Sequence, residues 1–292
     1  MYRRILVVTG DQPWVDAPVE YAIALAAHTG AELSLLTVLT PPLIAGMPET
    51  TGCFPLVLES LVAQSEILLA SAATMAEQVG VSYTIQVRWG RTAEMILRTA
   101  EEEDSDLIIV GSHARTWRGR GLLSYVTKQL TASARQPLLV ITTPPEESYN
   151  GAQWSRLLVV HDDSPGGDAA VHHALALAHA AAFEVCLLHV NTLQQCTVDP
   201  LGVTHSAQDV LPLTEARAAI AWASPDVIWA SGNTVSAIVE TATAKECDVI
   251  VLGVARCSGW KPLRSRKTAR KVMANTTLPV LLVNPLVDSW SD

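Results

Sequence analysis

The chain predicts an α/β fold of two tandem domains, each a five-stranded parallel sheet flanked by helices. Three observations carry this. Short runs of Ile, Val and Leu alternate with longer helical patterns, the order of a parallel sheet with crossover helices. The order occurs twice. Ile5-Leu6-Val7-Val8 returns as Leu157-Leu158-Val159-Val160 and Glu32–Val38 as Glu184–Val190, both shifted by 152 residues. Later blocks return at a shift of 142: Gly90-Arg91-Thr92 as Gly232-Asn233-Thr234, Asp106 as Asp248, Gly111 as Gly253 and Pro137 as Pro279. The second copy is therefore ten residues shorter between its second and third strands. Finally, 292 residues suit two domains, each of about 145.

In the first copy, apolar runs predict strands at 4–9, 32–38, 82–88, 106–110 and 137–142. The run Leu107–Val110 is wholly apolar, as a strand covered on both faces must be. Val19, Ile23, Ala26 and Ala27 fall at helical spacing and predict helix 17–29. Residues 40–54 carry Pro, Gly and Thr and read as a loop. Helix 56–79 stops at Gly80, a residue that accepts the left-handed conformation ending many helices. Thr92 is placed to cap helix 93–103, and helix 121–134 precedes the last strand. Residues 143–155, with Pro144-Pro145 and Asn150-Gly151, read as a linker, giving domains at 1–144 and 154–288. The second copy predicts strands 156–161, 183–189, 226–230, 248–252 and 279–283, with helices 168–181, 206–222 and 234–245. The last strand of each copy falls at a sheet edge. Pairing two such edges would hide their open hydrogen bonds, so the halves are expected to pack as a pseudo-two-fold pair.

Composition narrows the function classes. With 49% hydrophobic and 17% charged residues the chain is globular. A net charge of -9 argues against a general nucleic-acid binder. Five cysteines form no C-x-x-C pair, which fits reduced thiols in a cytoplasmic protein. The apolar run after Arg3-Arg4 is too short for a signal peptide, and no run approaches a membrane span.

Against the acidic balance stand two basic stretches. Residues 111–128 hold Arg115, Arg118, Arg120 and Lys128 and no acid; residues 253–271 hold Arg256, Lys261, Arg264, Arg266, Lys267, Arg270 and Lys271 and no acid. Together they carry eleven of the twenty cations. Each follows an apolar strand ending in Gly, the end of an α/β sheet where ligands sit. Two readings follow: an anion site helped by helix N-terminal amides, or a solvated basic face pairing with acids elsewhere. The repetition in both copies favours the first.

These blocks resemble the universal stress protein family, in tandem form, over nearly all of both halves. The resemblance is carried by Val159-Val160-His161-Asp162-Asp163-Ser164, the second strand GAELSLLTV, the block from Gly90-Arg91-Thr92 through Asp106-Leu107-Ile108-Ile109-Val110-Gly111-Ser112-His113, and the closing Pro-strand. It implies an adenine nucleotide α-hydrolase-like fold. It also implies an ATP-binding or a non-binding branch. The binding branch has Gly, two residues, Gly, nine residues, then Gly and Ser or Thr, wrapping the phosphates. In this chain the first copy offers Gly111, Ala114, Ser124 and Tyr125 at those places; the second offers Gly253, Arg256, Arg266 and Lys267. The family's Asp after the first strand corresponds to Gly10 and to Asp162. Val38 and Val190, ending the second strands, join the candidate contacts, as do Ser112, His113 and Arg115 after the strand tip. Both motifs depart from the pattern. Ala114 adds only a methyl, whereas Tyr125 is expected to fill or cover the pocket. Arg256, Arg266 and Lys267 replace a backbone cradle by cations, which would either bind the anion themselves or occupy its place.

The expected ligand is ATP, with magnesium, or another phosphate-bearing small molecule, more readily in the first copy. The resemblance implies stress response or signalling, at most with weak ATP hydrolysis. The other expected partners are an unidentified protein and a second copy of the chain, with no nucleic acid and no membrane. The alternative is a nucleotide-free adaptor acting through protein contacts, with Trp117 and Trp260 in its loops. His172, His173 and His179 on one helix read as surface or satisfied histidines rather than metal ligands. No Ser-His-Asp or Cys-His arrangement is evident, so no catalytic residue is assigned.

Overall fold

The computed structural model describes residues 2–9, 16–40, 54–112, 123–142, 154–162, 164–191, 226–254 and 263–285. The described residues fall into two compact units, one of residues 2–112 and 124–142 and one of residues 154–285 with Leu123.

The N-terminal unit runs β1 (Arg4–Thr9), α1 (Asp16–Thr29), β2 (Glu32–Leu39), α2 (Phe54–Val79), β3 (Tyr83–Trp89), α3 (Thr92–Glu102), β4 (Leu107–Gly111), α4 (Tyr125–Ser133) and β5 (Leu138–Ile141). Its strands lie in the order β3-β2-β1-β4-β5, and every pair is parallel. Successive side chains of a strand point to opposite faces. The unbroken burial of Ile5-Leu6-Val7 and of Leu107-Ile108-Ile109 therefore means that both faces are covered. The chain leaves β1 toward β2 and β3, then crosses back to β4 and β5. Between β1 and β4 the winding reverses, the place where an open parallel sheet forms a crevice.

The C-terminal unit repeats the plan with β6 (Arg156–His161), α5 (Pro165–Ala181), β7 (Glu184–Asn191), β8 (Asp226–Ser231), α6 (Thr234–Ala244), β9 (Val249–Gly253), α7 (Leu263–Met273) and β10 (Val280–Val283). Its parallel order is β10-β9-β6-β7-β8. The expected helix 206–222 lies outside the described residues. Among the described residues no helix is long and apolar enough to cross a membrane.

One carboxylate in each unit sets the strand register. Asp106 Oδ2 accepts hydrogen bonds from the Arg3 and Arg4 amides at 2.6 and 2.9 Å, while the Asp106 amide donates to Arg4 O at 2.9 Å. This holds Ile5 opposite Leu107 and Val8 opposite Val110. Asp248 does the same for Ser155 and Arg156, at 2.8 Å to each amide. Gly80, at φ +76°, ends α2, and Val81 N reaches back to Ala76 O at 3.0 Å. The start of α3 differs from expectation. Gly90 (φ +151°) turns the chain so that Arg91 is the last extended residue and occupies the cap position, without a side-chain bond. Thr92 is thus already helical. In the second copy Asn233 does cap, accepting from Val235 N at 3.0 Å.

Two expectations follow. Asp106→Ala should lower the unfolding free energy in urea by about 2 kcal/mol, since it removes charge-assisted bonds to two amides. His173 is 7% exposed, and burial pushes its ring down to about 4 from the usual 6.5. The unfolded chain then takes up the proton first, so stability is lost as pH falls from 6.5 toward 4. The loss should be on the order of 3 kcal/mol. His173→Leu should flatten that stretch of a plot of Tm against pH; an unchanged slope would assign the effect elsewhere.

Candidate functional site

At the carboxyl ends of β1, β2 and β4 the N-terminal unit opens into a cleft of about 410 Å3. That volume is within the range of small-molecule sites. Val8 and Thr9 come from β1, Thr37, Val38 and Leu39 from β2, with Thr40 just beyond it, and Val110 and Gly111 from β4. Helix α2 supplies a wall of Leu61, Gln64, Ser65 and Leu68. Pro18, Thr92, Ile96, Ser124 and Val126 complete the lining.

The polarity of this cleft comes from hydroxyls. Thr9 and Thr37 are hydrogen-bonded to each other at 2.5 Å across the β1–β2 pair. Thr40 and Thr92 face each other at 3.4 Å. Among the described residues no charged side chain lines the cleft. A hydroxyl can both donate and accept, so these side chains suit a sugar or another uncharged polar group. The apolar side chains offer a surface for a flat ring.

Of the residues expected from sequence, the cleft gathers Val38, Gly111 and Ser124. Ser124 caps α4: its Oγ accepts from Thr127 N at 3.0 Å. The hydroxyl thus stands one residue earlier than the family pattern places it. Tyr125 does not fill or cover the cleft. It is 74% exposed, and its hydroxyl accepts from Gln129 Nε2 at 3.0 Å along the outer face of α4. Ser112 is buried beside the cleft, with its amide donating to Ile141 O at 2.9 Å. Gly10, His113, Ala114 and Arg115 lie outside the described residues, as do Arg256, Trp117 and Trp260.

The second copy uses the same positions differently. A Cβ on Gly253 would lie 1.9 Å from Gly166 O, so the first turn of α5 sits directly on the tip of β9. Gly253 serves helix packing there, not close approach of a ligand. At Gly111 the corresponding contact is the Pro18 ring, 3.2 Å away. Asp162 is exposed and belongs to the turn that starts α5: Ser164 Oγ donates to it at 2.5 Å and accepts from Gly167 N at 3.1 Å. Val190 is buried, 6% exposed, within β7. Arg266 and Lys267 are not on an open loop. They lie inside α7, which begins at Leu263, so their amides belong to the helix and cannot cradle a phosphate.

Sequence reasoning missed a further contrast. Thr9 and Thr37 become His161 and His189 after the shift of 152 residues. In the C-terminal unit the two rings face each other, Nδ1 to Nδ1 at 3.4 Å, and His161 Nε2 meets Asp168 Oδ1 at 3.0 Å. His189 also lies against Trp229, ring centres 4.7 Å apart. Two imidazoles thus occupy the places of two threonines, with Trp229 packed beside one of them, and the repeat itself was the signal. His172 and His179 are exposed, and no group of three metal-ligating side chains occurs among the described residues.

The model of the universal stress protein family matches residues 1–142 and 153–284. Universal stress protein MJ0531 of Methanocaldococcus jannaschii is 28% identical to this chain over 147 residues, covering 50% of the chain and 86% of that protein. The crystal structure of a universal stress protein from Archaeoglobus fulgidus superposes with a TM-score of 0.72 at 17% identity, covering 97% of this chain and 98% of that one. The functionally unknown protein PA1789 from Pseudomonas aeruginosa superposes with a TM-score of 0.63 at 18% identity, over 97% and 93%. At such identities the two structures establish the fold.

Three substitutions test the site's framework. Gly253→Ala should destabilise by about 3 kcal/mol, because backbone has to move; Gly111→Ala should cost clearly less, since only a proline ring must yield. Equal losses in urea titrations would contradict the difference between the copies. Ser124→Ala should cost about 1 kcal/mol as a lost helix cap.

Proposed function

Because the chain belongs to the universal stress protein family, we propose that its N-terminal cleft binds ATP or a related phosphate-bearing metabolite. In this reading the protein acts in stress response or signalling, without catalysis, in the cytoplasm. One observation carries it. The open cleft of the N-terminal unit is lined by Val38, Gly111 and Ser124, three of the five described residues that were expected at a nucleotide in that copy; Ser112 and Tyr125 are not in the lining. The apolar lining would take the base, and the threonine hydroxyls the sugar. The phosphates would run toward Gly111 and the amino end of α4, where amides and the helix dipole favour negative charge. The lining holds no carboxylate among the described residues. Magnesium would therefore arrive with the phosphates and be held by them and by water.

A second reading, a nucleotide-free adaptor, draws on one observation. Ile85, Val87 and Trp89 alternate along β3, the outer strand, and are 47%, 39% and 44% exposed. Such a row is a surface for a protein partner.

Thermal shift with ATP and magnesium separates the readings. A saturating nucleotide at about one hundred times its Kd should stabilise the protein by about 2.7 kcal/mol. Ser124→Asp retains a good helix cap but puts a carboxylate where the phosphates would lie. It should weaken ATP at least tenfold and leave adenosine less affected. No shift with ATP, ADP or AMP in the parent protein would overturn nucleotide binding and leave the adaptor.

A further inference from the structure

The repeat also compares the two copies at the amino ends of the sheets. In the N-terminal unit Ser34 on β2 and Ser105 just before β4 are 1% and 4% exposed. Neither hydroxyl has a hydrogen-bond partner among the described residues. Shifts of 152 and 142 residues carry these positions to Cys186 on β7 and Cys247 just before β9. Both are free thiols, 3% and 4% exposed. They gather around Lys245: Cys247 Sγ faces Lys245 O at 3.9 Å, while Lys245 Nζ bonds Asp226, the residue opposite Cys186 on β8, at 2.6 Å. The first copy fills the same two places with hydroxyls, so packing alone does not require sulfur there. The substitution is paired: two hydroxyls in one unit, two neighbouring thiols in the other.

We propose that Cys186 and Cys247 form a reversible redox pair, which a small peroxide closes into an intramolecular disulfide. Their surroundings separate the two roles. Proximity to Cys247 lowers the Cys186 thiol, and the Arg156 and Lys245 cations add to this against burial and Asp226. The same proximity pushes Cys247 up. Cys186 is the attacking thiolate and Cys247 the resolving thiol. The Cys186 sulfur attacks one peroxide oxygen; the O–O bond breaks, and the leaving hydroxide takes a proton to become water. The sulfenic acid so formed is attacked by the Cys247 sulfur. The S–S bond forms, the S–O bond breaks, and the thiol proton leaves with the hydroxyl as a second water. Two thiols give up two electrons, and one peroxide becomes two waters. An external dithiol reverses the reaction by exchange. Cys247 lies on a turn after Glu246, which is left-handed at φ 51°, and not within a strand. It is the partner that moves. The depth of both sulfurs selects a small peroxide over a bulky disulfide oxidant.

The test uses the full chain treated with a few equivalents of hydrogen peroxide, alkylated, digested and analysed by mass spectrometry. The expected product is one cross-linked peptide pair joining Cys186 to Cys247, with two fewer of the five thiols titratable and full recovery after dithiothreitol. Cys247→Ser should leave Cys186 as a sulfenic acid that dimedone traps. Cys186→Ser should slow oxidation of Cys247 at least tenfold. Because serine already fills both positions in the first copy, these variants should fold, which circular dichroism checks. Full alkylation of both residues after peroxide, or disulfides joining only other cysteines, would overturn the proposal.

Discussion

The position of β4 along β1 governs everything at the cleft, and Asp106 governs that position. Its carboxylate holds the Arg3 and Arg4 amides, while its own amide bonds Arg4 O. From this anchor the strands run in step, so Val8 and Val110 end side by side. A slip of one residue would turn buried side chains to the opposite face and draw Gly111 away from Thr9. The anchor sits at the amino end of the sheet and the cleft at the carboxyl end. A parallel strand of five residues is short enough to carry the register from one end to the other. Asp248 anchors the second copy by the same bonds.

With equal frames, the two copies differ at their tips. One unit places two threonines at the ends of its first two strands and a proline ring against Gly111. The other places two imidazoles there and lays the backbone of Gly166 on Gly253. Hydroxyls are small and leave space; rings and a helix start take it up. Among the described residues, the strand tips of one unit thus line an open cleft, while those of the other carry imidazoles and the start of α5. The amino ends differ as well, Ser34 and Ser105 against Cys186 and Cys247, so each copy carries chemistry that the other lacks.

Much of this was legible in the sequence because its signals are local. A buried parallel strand is a short apolar run wherever it occurs, and the match of Ile5–Val8 to Leu157–Val160 marks the duplication by itself. Helix α7 was harder. Its charged run reads as a loop, yet Ala269, Val272 and Met273 fall at helical spacing and are buried. Of the cleft, Val38, Gly111 and Ser124 were legible through the family pattern. Thr9, Thr37, Gln64 and Ser65 were not. Threonine is an ordinary strand residue, and polar positions on α2 look like a solvent face until the helix is seen to wall the cleft. Tyr125 misled because bulk was read without direction: one residue past its cap, a helix side chain turns outward.

The most direct test of the account is the stoichiometry of ATP binding by isothermal titration, with magnesium, on the full chain. One ATP per chain, lost when Gln64→Trp fills the cleft from α2, is the predicted result. Two ATP per chain, or one that survives that substitution, would contradict it, because the ligand would then lie outside the N-terminal cleft.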